Sequence, residues 1–354
     1  MCYNKVWMQG KLFCFKKEFS SGRHPCYPSK RLITVSHGGR LGNNMGEYAT
    51  LWYYSKVLNN VEAFISPYME RDLQNIFPYI SLPAYKIPHS CQKEFIPMDA
   101  GQDLERIVKL FESTDSLAFV NLEGYPNAIN LFHRYRKDII SEFRFSERLS
   151  ASVKAFRHQL NSLHCQSHEH CEKLLLVGVH VRRTDYKQWM ADRARQGLVN
   201  ENFFLSAMKL MVNKIGKIKK QDKVLFIVAS DDPVWCKEKF SQFRMNYTII
   251  YTSDHYPILQ QRYLAAHNVS GCSNKDCNDT IELEYVHFDL AVISSMNYNI
   301  FDYGTFGMWG AYLSQAEITI AADLRVTDDE LRKFHIKDKL VDAGVEGFIF
   351  LLPP

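Results

Sequence analysis

The sequence predicts an α/β protein of two parallel-sheet domains that face each other across a cleft. Three observations carry this. The 354 residues are too many for one ordinary core. From Leu174 onward, short β-branched apolar runs alternate with helical patterns, the spacing of right-handed βαβ crossovers. Polar and glycine-rich clusters follow the runs, at the ends that a parallel sheet turns to one side.

Taken in chain order, residues 1–30 are mixed, basic and interrupted, and read as a tail or stem of low order. Strand-like RLITVS (Arg31–Ser36) leads into the glycine-rich HGGRLGNN (His37–Asn44). Met45, Tyr48, Ala49, Trp52, Tyr53 and Val57 then form one helical face. VEAFIS (Val61–Ser66) and LAFVNLEGY (Leu117–Tyr125) read as further strands, and 129–142 and 147–163 as helices. The join between domains falls near residues 160–172. In the second half the runs LLLVGVHV, KVLFIVAS, YTIIYT, NYNIFD and EITIA suit strands buried on both faces. Helices are expected over 202–213, 233–243, 285–296 and 305–314. The polar stretch 254–282 reads as an insertion, and 326–354 as a C-terminal extension.

Hydrophobic content of 46% and charged content of 23% are those of a globular protein. A net charge of +4 gives no case for a nucleic-acid partner, and suits a phosphorylated small ligand only weakly. No run approaches the roughly 18 apolar residues of a membrane helix, and the start resembles neither a signal peptide nor an anchor. CSNKDC (Cys272–Cys277) suits a small disulfide. Sequons stand at Asn246, Asn268 and Asn278, two of them beside that cysteine pair. Together these lean toward an oxidising, lumenal compartment with Asn-linked glycans. CQSHEHC (Cys165–Cys171) reads either as a linker loop with a local disulfide or as a zinc site.

The chemistry concentrates at the strand ends. After the run from Leu174 come His180, Arg182, Arg183 and Asp185. A guanidinium is a fixed, planar cation that fits phosphate oxygens. Adjacent arginines in an extended segment point to opposite sides, so one is free for a diphosphate while the other ties the loop to a carboxylate such as Asp185. DYGTFG (Asp302–Gly307) opens a helix whose free N–H groups offer a phosphate seat at Gly304, Thr305, Phe306 and Gly307; its plain reading is a turn. HGGRLGNN places Arg40 and Asn43 in a second such loop but lacks the lysine of a P-loop. Glu47 is either the third helical residue of a capping box with Asn44 as N-cap, or a general base or acceptor ligand. Ser230–Asp232 (SDD) reads as a metal motif, or as a ribose contact through Asp231 or a cap on the helix at Pro233; the metal reading is the less favoured.

GGRLGNNMGEYATLW, VGVHVRRTDY and DYGTFGMWGAYL resemble, in order and spacing, the sequence blocks of the α1,2-fucosyltransferases, the family that makes H-type blood-group structures. VHFDLAVISSMN, with Asp289, is similar to the family's preceding helix. The H-x-R-R-x-D pattern is shared with α1,6- and protein O-fucosyltransferases, and ASDDPVWCKEKF resembles a second block of that wider group. The likeness spans roughly 31–325. It departs at Asn44, where relatives usually have Gln, and at Thr184, where vertebrate enzymes usually have Gly.

The resemblance implies a GT-B-like fold of two Rossmann-like domains, 31–165 on the acceptor side and 172–325 binding GDP-fucose. It implies inverting transfer to a galactose-terminated glycan, with no obligatory metal and no cofactor beyond the donor. Arg183 and Arg182 would neutralise the departing diphosphate, and His180 would position the donor. Asp185 would orient an arginine or assist acid–base work. Arg40, Asn43 and Glu47 would line the cleft from the other side; Ser230, Asp231 and DYGTFG would hold nucleoside or phosphate. Family members are type II Golgi membrane proteins, and no anchor is visible in this chain. The competing expectations are a protein O-fucosyltransferase, a core α1,6-fucosyltransferase, and a non-catalytic GDP-sugar-binding relative.

Overall fold

In a computed structural model of the chain, the described residues are 5–8, 11–14, 31–101, 103–112, 118–164, 174–194, 197–218, 223–243, 247–266, 275–324 and 335–353. The zinc-or-linker segment at Cys165–Cys171 and the sequons at Asn246 and Asn268 lie outside them. Within the expected tail, β1 (Lys5–Met8) and β2 (Lys11–Cys14) pair as an antiparallel hairpin.

The first half is a four-stranded parallel sheet in the order β4-β3-β6-β5, from β3 (Arg31–Val35), β4 (Glu62–Ala63), β5 (Ile96–Asp99) and β6 (Ala118–Glu123). Its helices are α1 (Leu41–Val57), α2 (Pro67–Gln74), α3 (Leu104–Glu112), α4 (Ile129–Phe132), α5 (Arg136–Glu142) and α6 (Glu147–His164). α1 begins earlier than its apolar face suggests. Arg40 is its N-cap, with no side-chain cap bond, so Asn44 and Glu47 lie inside the helix and the capping-box reading is wrong. A one-turn 3-10 helix at His133–Tyr135 divides the helix expected over 129–142 into α4 and α5.

The second half is a six-stranded sheet, every pair parallel: β7 (Leu174–Val181), β8 (Lys223–Ser230), β9 (Thr248–Tyr251), β10 (Tyr298–Phe301), β11 (Ile318–Ala322) and β12 (Phe348–Leu351). Its order, β12-β11-β10-β7-β8-β9, is that of a doubly wound nucleotide-binding sheet, with the switch point between β7 and β10. The crossovers carry α7 (Tyr186–Trp189), α8 (Glu201–Ile218), α9 (Pro233–Phe240), α10 (Tyr256–Ala266), α11 (Lys275–Ser294) and α12 (Thr305–Ser314). Where it is described, the polar insertion is helical, through α10 and an α11 that starts at Lys275 and carries Asn278 in its first turns. The sheet does not stop at residue 325: α13 (Ile336–Asp342) and β12 belong to it, with β12 pairing along β11. Cys91 and Cys277 are disulfide-bonded, while Cys236 is a buried free thiol.

α12 joins the halves. Trp309 is fully buried, stacked on Phe132 at 5.7 Å and edge-on to Phe143 at 5.2 Å, both from the first half. The N-termini of α1 and α12 meet at Gly42. A Cβ there would lie 2.6 Å from the Phe306 nitrogen and 2.8 Å from the Thr305 carbonyl carbon, backbone atoms that no rotamer change moves. Thr305 Oγ1 donates to Asn43 Oδ1 across the same contact at 2.8 Å. Gly42→Ala is therefore expected to cost about 1–3 kcal/mol, read as a lower denaturation midpoint.

Candidate active site

Three strand ends of the second sheet are tied into one unit. Asp302, just past β10 and 1% exposed, accepts from the backbone N–H of Arg182 at 2.8 Å and of Tyr303 at 2.7 Å. Asp231, just past β8, accepts from the backbone N–H of Arg183 at 2.8 Å and from the Thr184 hydroxyl at 2.5 Å, and pairs with Arg182 Nη1 at 3.1 Å. The Thr184 hydroxyl thus adds a side-chain bond to this frame. The carboxylates of SDD and DYG hold the H-x-R-R-x-D loop by its backbone. Asp232, not Asp231, caps α9 by accepting from the Trp235 N–H at 3.1 Å, and the Ser230 hydroxyl accepts from the Asp232 N–H at 3.0 Å.

The adjacent arginines diverge, as extended backbone requires. Arg182 Nη2 lies 2.5 Å from Asp185, and Asp185 also pairs with Arg40 of the first half at 3.4 Å. This chain of charges spans the cleft, and Asp185 is the carboxylate that orients both arginines. Arg183 turns the other way. Its guanidinium lies 3.6 Å over the Trp235 ring, 3.8 Å from Asp232 and 3.4 Å from the Val199 carbonyl. Arg183, expected at a diphosphate, here packs the loop onto α9.

His180, expected to position the donor and the motif loop, does not line an open surface. It is buried beneath the site, 5.0 Å from the Phe306 ring, and burial draws its pKa down to about 3, so the imidazole is neutral. Gly307 makes room for it, since a Cβ there would meet His180 Nδ1 at 2.9 Å and Phe301 Cβ at 2.8 Å. The phosphate seat expected at the start of α12 is partly covered by α1, because Phe306 N faces Gly42.

Between the halves lies a cavity of ≈ 500 Å³ at the carboxyl ends of both sheets. Of the residues the sequence nominated, Asn43, Gly304 and Thr305 line it; Arg40, Glu47, His180, Arg182, Arg183, Asp185, Ser230, Asp231, Phe306 and Gly307 do not. Asp302 is on its wall, and burial pushes that carboxyl up to about 8. Tyr186 and Tyr303, also on the wall, stack on each other at 4.9 Å. Tyr125 stands at the rim with a φ of 55°, a left-handed conformation costing about 1–3 kcal/mol in a non-glycine residue and common where function holds strain. Asn127, 4% exposed, lines the cavity with both amide atoms unpartnered. Sequence reading missed Tyr125 and Asn127, although they follow β6 as the nominated loops follow their strands.

Glu47 is fully buried in α1. Its Oε2 accepts from the Gly38 N–H at 3.4 Å and its Oε1 has no partner. It steadies the glycine-rich loop and is not on the cavity wall, so a base role is not supported. Burial pushes its carboxyl up to about 8. The unfolded chain ionises it above about 4.5 while the folded chain keeps the proton, so this group makes stability fall as pH rises from about 4.5 to about 8. Glu47→Gln is expected to raise the melting temperature relative to the parent at about pH 8.5, with the advantage shrinking toward about pH 4.5.

The profile of Glycosyl transferase family 11 matches residues 6–262. The rat "Galactoside alpha-(1,2)-fucosyltransferase 2" is 27% identical over 302 residues, covering 85% of this chain and 72% of that protein. The rat "Galactoside alpha-(1,2)-fucosyltransferase 1" is 29% identical over 321 residues, covering 89% and 73%. Among solved structures, the fucosyltransferase NodZ from Bradyrhizobium overlaps 83% of this chain and 95% of its own with a TM-score of 0.48 and 14% identity, a superposition too partial to build on. With more than half of its length matched by one family profile, this chain belongs to glycosyl transferase family 11.

Proposed function

We propose that the protein is an inverting glycosyltransferase that moves L-fucose from GDP-fucose to the 2-hydroxyl of a terminal galactoside on a glycan. The observation that carries this is the convergence of the loops after β3, β6, β7 and β10, from both halves, at one cavity beside the switch point. The names of the family relatives supply the sugar and the linkage.

In the reaction the acceptor oxygen forms a bond to fucose carbon 1, the bond from that carbon to the diphosphate oxygen breaks, and GDP leaves with the electron pair. The acceptor proton goes to Asp302, the carboxylate on the wall whose pKa stands near neutrality. The diphosphate takes the place of Asp185 at Arg182 and Arg40. Asp185 is 42% exposed, and exposed ion pairs hold by only about 0–1 kcal/mol, so a doubly charged ligand displaces it. The aromatic wall of Tyr186 and Tyr303 offers a face to a sugar or base.

No metal enters this scheme, and transfer is expected to persist in EDTA. The disulfides at Cys91 and Cys277, with the family relatives, support a Golgi-lumenal setting; no helix among the described residues is long and apolar enough to cross a membrane. The domain reading that goes with this function gives residues 31–165 the acceptor side and the half from residue 172 the donor.

The test is transfer from labelled GDP-fucose to galactose-terminated oligosaccharides, a chitobiose core and a folded peptide domain in parallel, with linkage analysis. An α1,2-fucosylated galactoside is expected. Label on the chitobiose core or the peptide would favour the α1,6 or protein O-transfer alternatives, and binding without GDP release under any acceptor the non-catalytic one.

A further inference from the structure

The cavity has a wall that the family motifs do not supply. α13 and β12 contribute His335, Ile336, Lys337, Lys339 and Phe350 to it. Two of its basic groups are already matched: Lys337 Nζ lies 2.6 Å from Asp323, and His335 Nδ1 lies 2.8 Å from Asp338. Lys339 differs. Among the described residues no carboxylate stands within ion-pair distance of it, and Asp99 of the first half acts on it only from farther off. Burial outweighs that attraction and draws the ammonium down to about 8. The same cavity also carries apolar lining from Ile336, Ala322, Leu324 and Phe350, and a charge contact is stronger where such groups exclude water. A half-buried cation with no ion-pair partner among the described residues costs stability unless a ligand brings the anion. The unpartnered Asn127 amide on the same cavity is a second sign that a polar group belongs inside it.

We infer that Lys339 binds the diphosphate of GDP-fucose, so that the C-terminal segment contributes to the donor site. This rests on the proposed donor, and it makes α13 part of the binding site, where the sequence suggested only an extension.

Calorimetric titration of the full chain with GDP and with guanosine tests it. The parent is expected to bind GDP more tightly than guanosine. Lys339→Met, which keeps the apolar stem, is expected to weaken GDP by about ten- to a hundredfold and leave guanosine unchanged. Lys339→Arg is expected to recover most of the loss, and Lys339→Gln serves if the Met variant does not fold. A Met variant that binds GDP like the parent, or one that loses GDP and guanosine equally, overturns the inference and leaves the donor reading standing. So does a variant with parental GDP affinity and a raised KM for the acceptor alone. A parent that binds no GDP overturns the donor reading and this inference with it.

Discussion

Asp302→Asn is expected to lower kcat by about 10²–10⁴, the range a positioned proton acceptor contributes. Asp302 combines three properties. It lies on the cavity wall at the switch point; its oxygens are fixed by the backbone N–H groups of Arg182 and Tyr303; and burial lifts it to about 8. Only the ionised carboxylate takes a proton, so the parent's rate should rise with pH through about 8, and that limb should vanish in the variant. The amide keeps one acceptor oxygen but turns an NH2 toward one of the two backbone donors, so some stability is lost as well. The pH profile separates the roles: a merely structural Asp302 would lower rates evenly across pH. A variant with parental kcat would remove Asp302 from the chemistry.

Arg182→Ala is expected to slow transfer by about 10²–10³ and to weaken GDP binding, because it removes charge stabilisation at the leaving group. The neighbouring Arg183→Ala should behave differently. It loses a cation–π contact with Trp235 worth about 0.5–2 kcal/mol and leaves Asp232 without its arginine, so the melting temperature falls while the folded fraction keeps its GDP affinity. Titration of GDP beside a thermal melt distinguishes the two. Equal loss of GDP affinity in both would return Arg183 to the phosphate.

The contrast between these arginines marks what the sequence made legible. Every strand expected in the second half is present, because runs such as LLLVGVHV are buried on both faces and carry their own signal. The gathering of the nominated loops at strand ends followed from parallel topology, and Asn43, Gly304 and Thr305 line the cavity there. Alternation established that Arg182 and Arg183 point apart, but which one meets the cleft depends on Trp235 and Asp232, which arrive from another strand-helix unit. Glu47 looked like a cap because the apolar face of α1 begins at Met45, whereas tertiary contact with α12 starts the helix at Leu41. Lys339 had no local signal: a lysine in IKDKLVD reads as a solvated helix face until α13 is laid against the cavity.

In the proposed reaction both halves close on one nucleotide sugar. Amide hydrogen exchange with and without GDP tests it most directly. Slowed exchange is expected in Gly38–Asn44 of the first half and in Arg182–Asp185 and Asp302–Gly307 of the second, all in the same titration. Protection confined to one half, or falling on segments away from the cavity, would contradict it.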